Sequence, residues 1–227
     1  MKNPKTILIT GASDGIGYEL TKLALDKGYN VHALSRNISK LKKISGIYSY
    51  SVNLSKEKSI KTFVNKLIKE SVKLNIIINN AGALVRMPFH DTPREVFKEI
   101  YNVNVFGVVS LIKYLIPIID KKGHVVNISS MGGIQGSNKF PGLSAYSSSK
   151  AALISLTESL AEEYKETGPS FNALALGSVK TKMLEKAFPG YKASTCPMKM
   201  ASYILDFSIS GHTLFNGKIL PVSLSTP

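Results

Sequence analysis

"TILITGASDGIGYEL", residues 6–20, carries the reading that decides the fold. A short β-branched run, Thr6 to Thr10, stops at Gly11, and Gly15 and Gly17 open a helical pattern that continues through "TKLALDKG". Strand, glycine turn and helix in succession let a backbone approach a phosphate. Gly11 can make the tight turn, Gly15 leaves room for a pyrophosphate, and Gly17 lets helix and strand pack closely, while the helix N-terminus favours the anion. Gly11, Ser13, Asp14, Gly15, Ile16 and Gly17 are therefore candidates for holding a dinucleotide. A glycine triad alone is a weak signal, and its place between a strand and a helix is what strengthens it.

Outward from this turn the period keeps alternating. Strand-like "NVHALS", "IYSYSVNLS", "LNIIINN", "GHVVNISS", "SFNALAL" and "GKILPVSL" are separated by helical patterns, among them "ISKLKKI", "KEKSIKTFVNKLIKE", a long stretch from about Pro93 to Ile119 and another from about Ala145 to Lys165. Seven strands with helical crossovers predict an α/β protein, a doubly wound seven-stranded parallel sheet of the Rossmann type with helices on both faces. Residues 1–227 read as one domain without repeat or linker, with a substrate-covering segment at about 182–200. Gly28 is expected to end the first helix, Ser55 and Thr92 to cap later ones, and Pro93 to take a first helical position.

Composition narrows the function. The formal charge is +14, nearly all of it lysine scattered through the chain, with arginine only at 36, 86 and 94. No basic block or recognition motif accompanies it, so no nucleic-acid partner is expected. Cys196 is the single cysteine, which fits a reducing compartment. The N-terminus lacks the pattern of a signal peptide. The apolar run "VNVFGVVSLIKYLIPIID" is interrupted by Lys113 and Pro117 and reads as too short for a membrane span. A cytoplasmic protein that does not enter membranes is the expectation.

Ligands of such sheets bind beyond the carboxyl ends of the strands. That edge gathers Gly11 to Gly17, Ser35 and Arg36, Asn79 to Gly82, Ser129 and Ser130, and Gly177 to Thr181. An apolar strand ending in two amides, Asn79 and Asn80, calls for partners at that edge, because an unpaired buried amide costs about 1–3 kcal/mol. "YSSSK" places Tyr146 and Lys150 on one face of a helix. An ammonium ~4 Å from the phenol, at an effective dielectric of ~20, favours tyrosinate by about 4 kcal/mol, enough to make an acid/base near neutral pH. Taken alone, such a pair is common on surfaces. Ser130, at a strand end, could donate to a carbonyl oxygen, and Asn104 in "YNVNVFG" is either functional or a structural amide tied to backbone.

The ordered set "TGASDGIG", "NNAG", "VNVFG", "ISSMGG" and "YSSSK" resembles the short-chain dehydrogenase/reductase family from about Thr6 to Thr181. The resemblance implies a nicotinamide cofactor and hydride transfer to or from a carbonyl or alcohol carbon of a small molecule. It makes Tyr146 the acid/base, has Lys150 lower the Tyr146 pKa and hold the ribose, has Ser130 polarise the carbonyl, and gives Asn104 a water that continues a proton relay. It adds Asn53, Leu54, Asn80, Ala81, Gly82, Gly177, Val179 and Thr181 to the cofactor contacts, with Tyr146 and Lys150 shared. Asn53 stands where the family usually has an acid and Leu176 where it has a proline, and the ending "FNGKILPVSLSTP" lacks the usual glycine pair. A non-catalytic NADP-binding sensor or scaffold of the same fold is the alternative.

An acid after the second strand would select NAD, whereas an arginine suits the 2′-phosphate of NADP. The second strand ends in Ser35-Arg36, which predicts NADP(H) over NAD(H), with Asp14 expected to turn to solvent or to a lysine. The long helices around 101–119 and 145–165 carry Val105, Val109, Leu153 and Leu156, and their apolar surplus predicts a homodimer or homotetramer.

Overall fold

The computed structural model describes residues 4–224. Seven strands form one sheet: β1 (Thr6–Thr10), β2 (Asn30–Ser35), β3 (Ile47–Ser51), β4 (Leu74–Asn79), β5 (Ile119–Ser130), β6 (Ser170–Leu176) and β7 (Ile219–Val222). Their order is β3-β2-β1-β4-β5-β6-β7 and every pairing is parallel. The chain starts in the middle, winds to one edge, then returns and winds to the other. The reversal lies between β1 and β4, and loops leaving those two strands in opposite directions open a crevice at their carboxyl ends.

Side-chain alternation builds a core on each face of the sheet. Ile7, Ile9, Ile76, Ile78, Val126 and Ile128 face α1 (Gly15–Asp26) and α7 (Pro197–Ser210). Leu8, Ile77 and Val125 face α2 (Glu57–Lys69), α4 (Gly107–Leu115) and α5 (Ser144–Glu163). Pro221 sits in β7, an edge strand, where its missing N–H costs no ladder bond.

Several local expectations are revised. "ISKLKKI" yields one 3₁₀ turn, Leu41–Lys43, because too few residues separate β2 from β3 for a packed helix. Gly28 does follow α1, at φ +79°, donating its N–H to Leu25. Neither Ser55 nor Thr92 caps a helix. The Ser55 hydroxyl goes to Asn53 Oδ1 at 2.8 Å, and that of Thr92 to the Pro88 carbonyl at 2.8 Å. Pro93 precedes the first helical residue of α3 (Arg94–Tyr101) with extended backbone.

The long run after Pro93 is not one regular helix. A π-helical segment, Asn102–Phe106, joins α3 to α4, and a 3₁₀ turn, Ile116–Ile118, ends the run at Pro117. By length and composition alone Arg94–Ile118, at 25 residues, could cross a bilayer, which the shorter apolar run did not suggest. Its apolar residues Ile100, Val108, Leu111, Ile112 and Leu115 are buried, the last four in the core that α2 and α5 also cover. Val105 and Leu153, counted above toward an assembly surface, are buried too, and Leu156 packs partly against the same core. The apolar surplus therefore shrinks to Val109 and its neighbour Phe106, 36% and 56% exposed.

Candidate active site

One cavity of about 560 Å³ lies over the carboxyl ends of the strands. Every candidate residue lines it except Gly17 and Asn104. Gly17 acts beneath it: a Cβ there would stand 2.2 Å from the Gly11 carbonyl oxygen, so only glycine lets α1 come this close to β1. Gly11, at φ +67°, needs glycine for its backbone and again for space, since a Cβ would meet Ala81 Cα at 2.8 Å. Asn80 braces this junction by donating Nδ2 to the Thr10 carbonyl at 3.0 Å, while Ala81 N–H donates to Thr10 Oγ1 at 3.0 Å.

The two amides that end β4 have separate fates. Asn80 reaches the cavity, but Asn79 is buried under α5, donates to Asn127 Oδ1 at 2.8 Å and lies away from the cavity lining. Asn127 in turn donates to Thr157 Oγ1 at 2.9 Å. Asn79 ends β4 on the side covered by α5, whereas Asn80 follows the strand at its carboxyl end, where the cavity opens.

At the glycine-turn end, Ser13 and Ser35 hydroxyls hydrogen-bond at 2.7 Å. Asp14 turns outward as expected, pairing with Lys40 at 3.2 Å and Lys182 at 3.9 Å. Burial raises its pKa somewhat, but the hydrogen bonds from Lys40 and Gly15 and the two lysine charges outweigh this and leave it below the usual carboxylate value. Arg36 is exposed on the cavity wall, and no acidic side chain among the described residues pairs with it. Asn53 spends its Oδ1 on Ser55, whose N–H donates at 3.0 Å, leaving its Nδ2 uncommitted among the described residues.

At the other end stand Ser130, Tyr146 and Lys150. β5 delivers Ser130, whose Oγ accepts the Gly132 N–H at 3.3 Å. The first turn of α5 carries Tyr146, and Lys150 follows one turn later with Nζ 5.8 Å from the ring centroid. Burial pushes the Tyr146 phenol above its ordinary value, against the smaller opposing pull of Ser130. The expected depression by Lys150 is therefore corrected: spacing on a helix brings the charges near, but enclosure of the phenol dominates. Burial also lowers Lys150, to about 8, and its Nζ donates to the Ile128 carbonyl at 2.7 Å.

Asn104 is buried in the π segment with its side chain fully engaged. Oδ1 accepts the Ala83 N–H at 2.7 Å, and Nδ2 donates to the Ala83 carbonyl at 3.0 Å and Ser149 Oγ at 2.9 Å. It fastens the loop after β4 to α5. Gly177, Val179 and Thr181 line the opposite wall. Thr181 caps α6 (Lys182–Ala187) by accepting the Leu184 N–H at 3.3 Å, and Gly177 packs against Ser223, where a Cβ would meet Oγ at 2.4 Å. Sequence reasoning missed Phe140, Ser147 and Ser223 on the cavity wall. Their only signal was position, since they lie close in the chain to named motifs or on strand exits.

A family model described as short chain dehydrogenase matches residues 5–192. The 3-oxoacyl-(acyl-carrier-protein) reductase FabG of Thermotoga maritima is 33% identical over 199 residues, covering 80% of this chain and 77% of that one. The curated relatives are longer, and the chain spans from 58% to 78% of several of them. Among solved structures, 4-hydroxyisoleucine dehydrogenase complexed with NADH superposes with a TM-score of 0.87 at 26% identity, over 96% of this chain and 97% of that one. ElxO with NADP bound superposes with a TM-score of 0.84 at 28% identity, over 97% of both.

Proposed function

As the chain belongs to the short-chain dehydrogenase family, we propose that it is an NADP-dependent oxidoreductase of a carbonyl or alcohol carbon, with Tyr146 as its acid/base. The observation that carries this is the single cavity joining the glycine turn to Ser130, Tyr146 and Lys150. The turn fits a dinucleotide: Gly11 and Gly15 have left-handed backbone, and α1 presents its N-terminus to the cavity. The nicotinamide supplies or accepts the hydride. On the protein side, Ser130 orients the substrate oxygen, and the phenol of Tyr146, kept protonated by burial, gives that oxygen its proton in the reducing direction. Through its side chain, Asn104 positions Ser149 and the loop at Ala83.

Arg36 supports the choice of NADP. A guanidinium makes charge-assisted, bidentate bonds to a phosphate and loses most of that against a hydroxyl. A contact of about 1.5–3 kcal/mol gives roughly 10–100-fold discrimination. Asp14, held by two lysines, does not oppose it. In fluorescence titrations NADPH binds more tightly than NADH, and Arg36→Ala closes most of that gap while scarcely changing NADH affinity. Equal affinity in the unmodified protein refutes the assignment.

The cytoplasmic reading stands on the lone exposed thiol, Cys196. Phe106 and Val109 leave an apolar strip on the helices around residue 106, which supports a homodimer or homotetramer. Light scattering at micromolar concentration is expected to give at least twice the chain mass, and Phe106→Glu to lower it. A monomeric unmodified protein counts against assembly.

A further inference from the structure

Lys182 stands where two parts of the cavity meet. It is the first residue of α6, one place after Thr181, and it lines the cavity. The chain around it is fixed at its base: Val179 forms a parallel bridge to Thr195, and the Lys180 N–H donates to the Thr195 carbonyl at 2.9 Å. Thr181 lies against the glycine turn, with its Cγ2 3.3 Å from where a Cβ on Gly15 would be. Lys182 is thereby brought to the N-terminus of α1, where its Nζ is 3.9 Å from Asp14 Oδ2. In folds of this kind the anionic middle of a dinucleotide sits at that helix end.

A lysine has little local reason to be there. In the first turn of α6 its charge faces the positive end of the helix dipole. Asp14 is its only partner among the described residues, in a loose surface pair whose side chains are 77% and 52% exposed. Asp14 does not depend on this pair, since Lys40 donates to its Oδ1 at 3.2 Å. Lys182 can therefore change partners without stranding a charge. Arg36 and Lys182 both line the cavity, and Asp14 is the only acid in that lining.

We infer that Lys182 binds the diphosphate of the nicotinamide dinucleotide, leaving Asp14 to Lys40 when the cofactor enters. The inference rests on the oxidoreductase reading above and adds to it a cofactor-binding residue supplied by the substrate-covering segment. Arg36 and Lys182 then divide the phosphates between them. The ammonium serves as a compact point charge for the diphosphate that NADPH and NADH share, whereas the Arg36 guanidinium meets a 2′-phosphate that only NADPH carries.

Cofactor titrations by fluorescence separate the two roles. Lys182→Gln is expected to raise the dissociation constants of NADPH and NADH alike, by about tenfold, the scale of one charge-assisted contact. Lys182→Arg restores most of the loss, and Arg36→Ala affects NADPH alone. Added salt shrinks the difference between Lys182→Gln and the unmodified protein, because the contact is exposed and screened. A double-substitution cycle tests whether Lys182 acts only by neutralising Asp14. In an Asp14→Asn background Lys182→Gln still costs about tenfold when the ammonium meets the diphosphate, and costs nothing when it merely shields the carboxylate. Unchanged dissociation constants, a loss confined to NADPH, or a loss that disappears in the Asp14→Asn background overturns the inference and leaves the oxidoreductase reading standing. Failure of the unmodified protein to bind either nicotinamide cofactor overturns that reading, and the inference with it.

Discussion

Tyr146→Phe is expected to cut turnover by roughly 10²–10⁴-fold on any accepted substrate, the range for loss of a positioned proton donor. The ring keeps its packing beside Lys150, so the fold and cofactor affinity persist, and only the phenol oxygen is removed. What the substitution deletes is a donor held protonated: burial raises the Tyr146 pKa, so at neutral pH the group has a proton to give during reduction. The same shift makes it a poor base, and alcohol oxidation should accelerate as pH rises while reduction does not. Ser130→Ala should lower turnover as well, since it removes the proposed donor to the substrate oxygen. A Tyr146→Phe protein retaining turnover within tenfold of the unmodified one would show that the proton comes from elsewhere.

Acid is expected to destabilise the protein well above the pH at which carboxylates titrate. His32 and His124 are buried, and burial lowers each to about 4. His124 is held as the neutral ring: its Nδ1–H donates to the Ser208 carbonyl at 2.9 Å, and Nε2 accepts from Asn172 Nδ2 at 2.9 Å. His32 is stacked between Tyr48 and Tyr50, with Nδ1 3.2 Å from the Tyr50 hydroxyl. In the unfolded chain a histidine charges near ~6.5. A depressed folded pKa means that the unfolded state takes up protons first, so stability is intact above ~6.5 and falls as pH drops toward about 4. At pH 5 each histidine removes about 2 kcal/mol. They lie on β2 and β5, separated by two strands or roughly 14 Å, so the losses add to about 4 kcal/mol. Asp14 and Asp120, held low by lysines and backbone, act only below this window. Urea unfolding at pH 7.5 and pH 5.0 measures the loss, and His124→Gln should remove part of the difference. Equal midpoints at the two pH values would sink the account.

What the sequence disclosed was periodic or local. Period-2 and period-3.6 patterns located all seven strands and the long helices, and "TGASDGIG" revealed its own geometry because its glycines report required backbone angles. Ser55 and Thr92 misled because residue type alone does not say which acceptor a hydroxyl prefers: Asn53 Oδ1 took one and Pro88 the other. The electrostatics of Tyr146 and Lys150 misled for a different reason. Helical spacing gives proximity, but how far the phenol is enclosed is decided by the fold around it. The aromatic contacts of the cavity wall were only half legible: Phe188 and Tyr191 were visible as apolar residues in a covering segment, whereas Phe140 meets Phe188 across some fifty positions of chain.

The amide pair beneath α5 sets the vertical alignment of the two halves of the site. Asn79 and Asn127 are opposite one another in the β4–β5 register, whereas the same strands lose their regular stagger between Leu74 and Ile76. A slide of either strand would break that bond inside the protein, where no water replaces it. Asn80 follows Asn79 by one residue, and Ser130 follows Asn127 by three. The hydrogen bond therefore works as a dowel, fixing how high the brace of the glycine turn stands relative to the hydroxyl at the reacting carbonyl. Because Asn127 also holds Thr157, the helix bearing Tyr146 and Lys150 is indexed to the same mark.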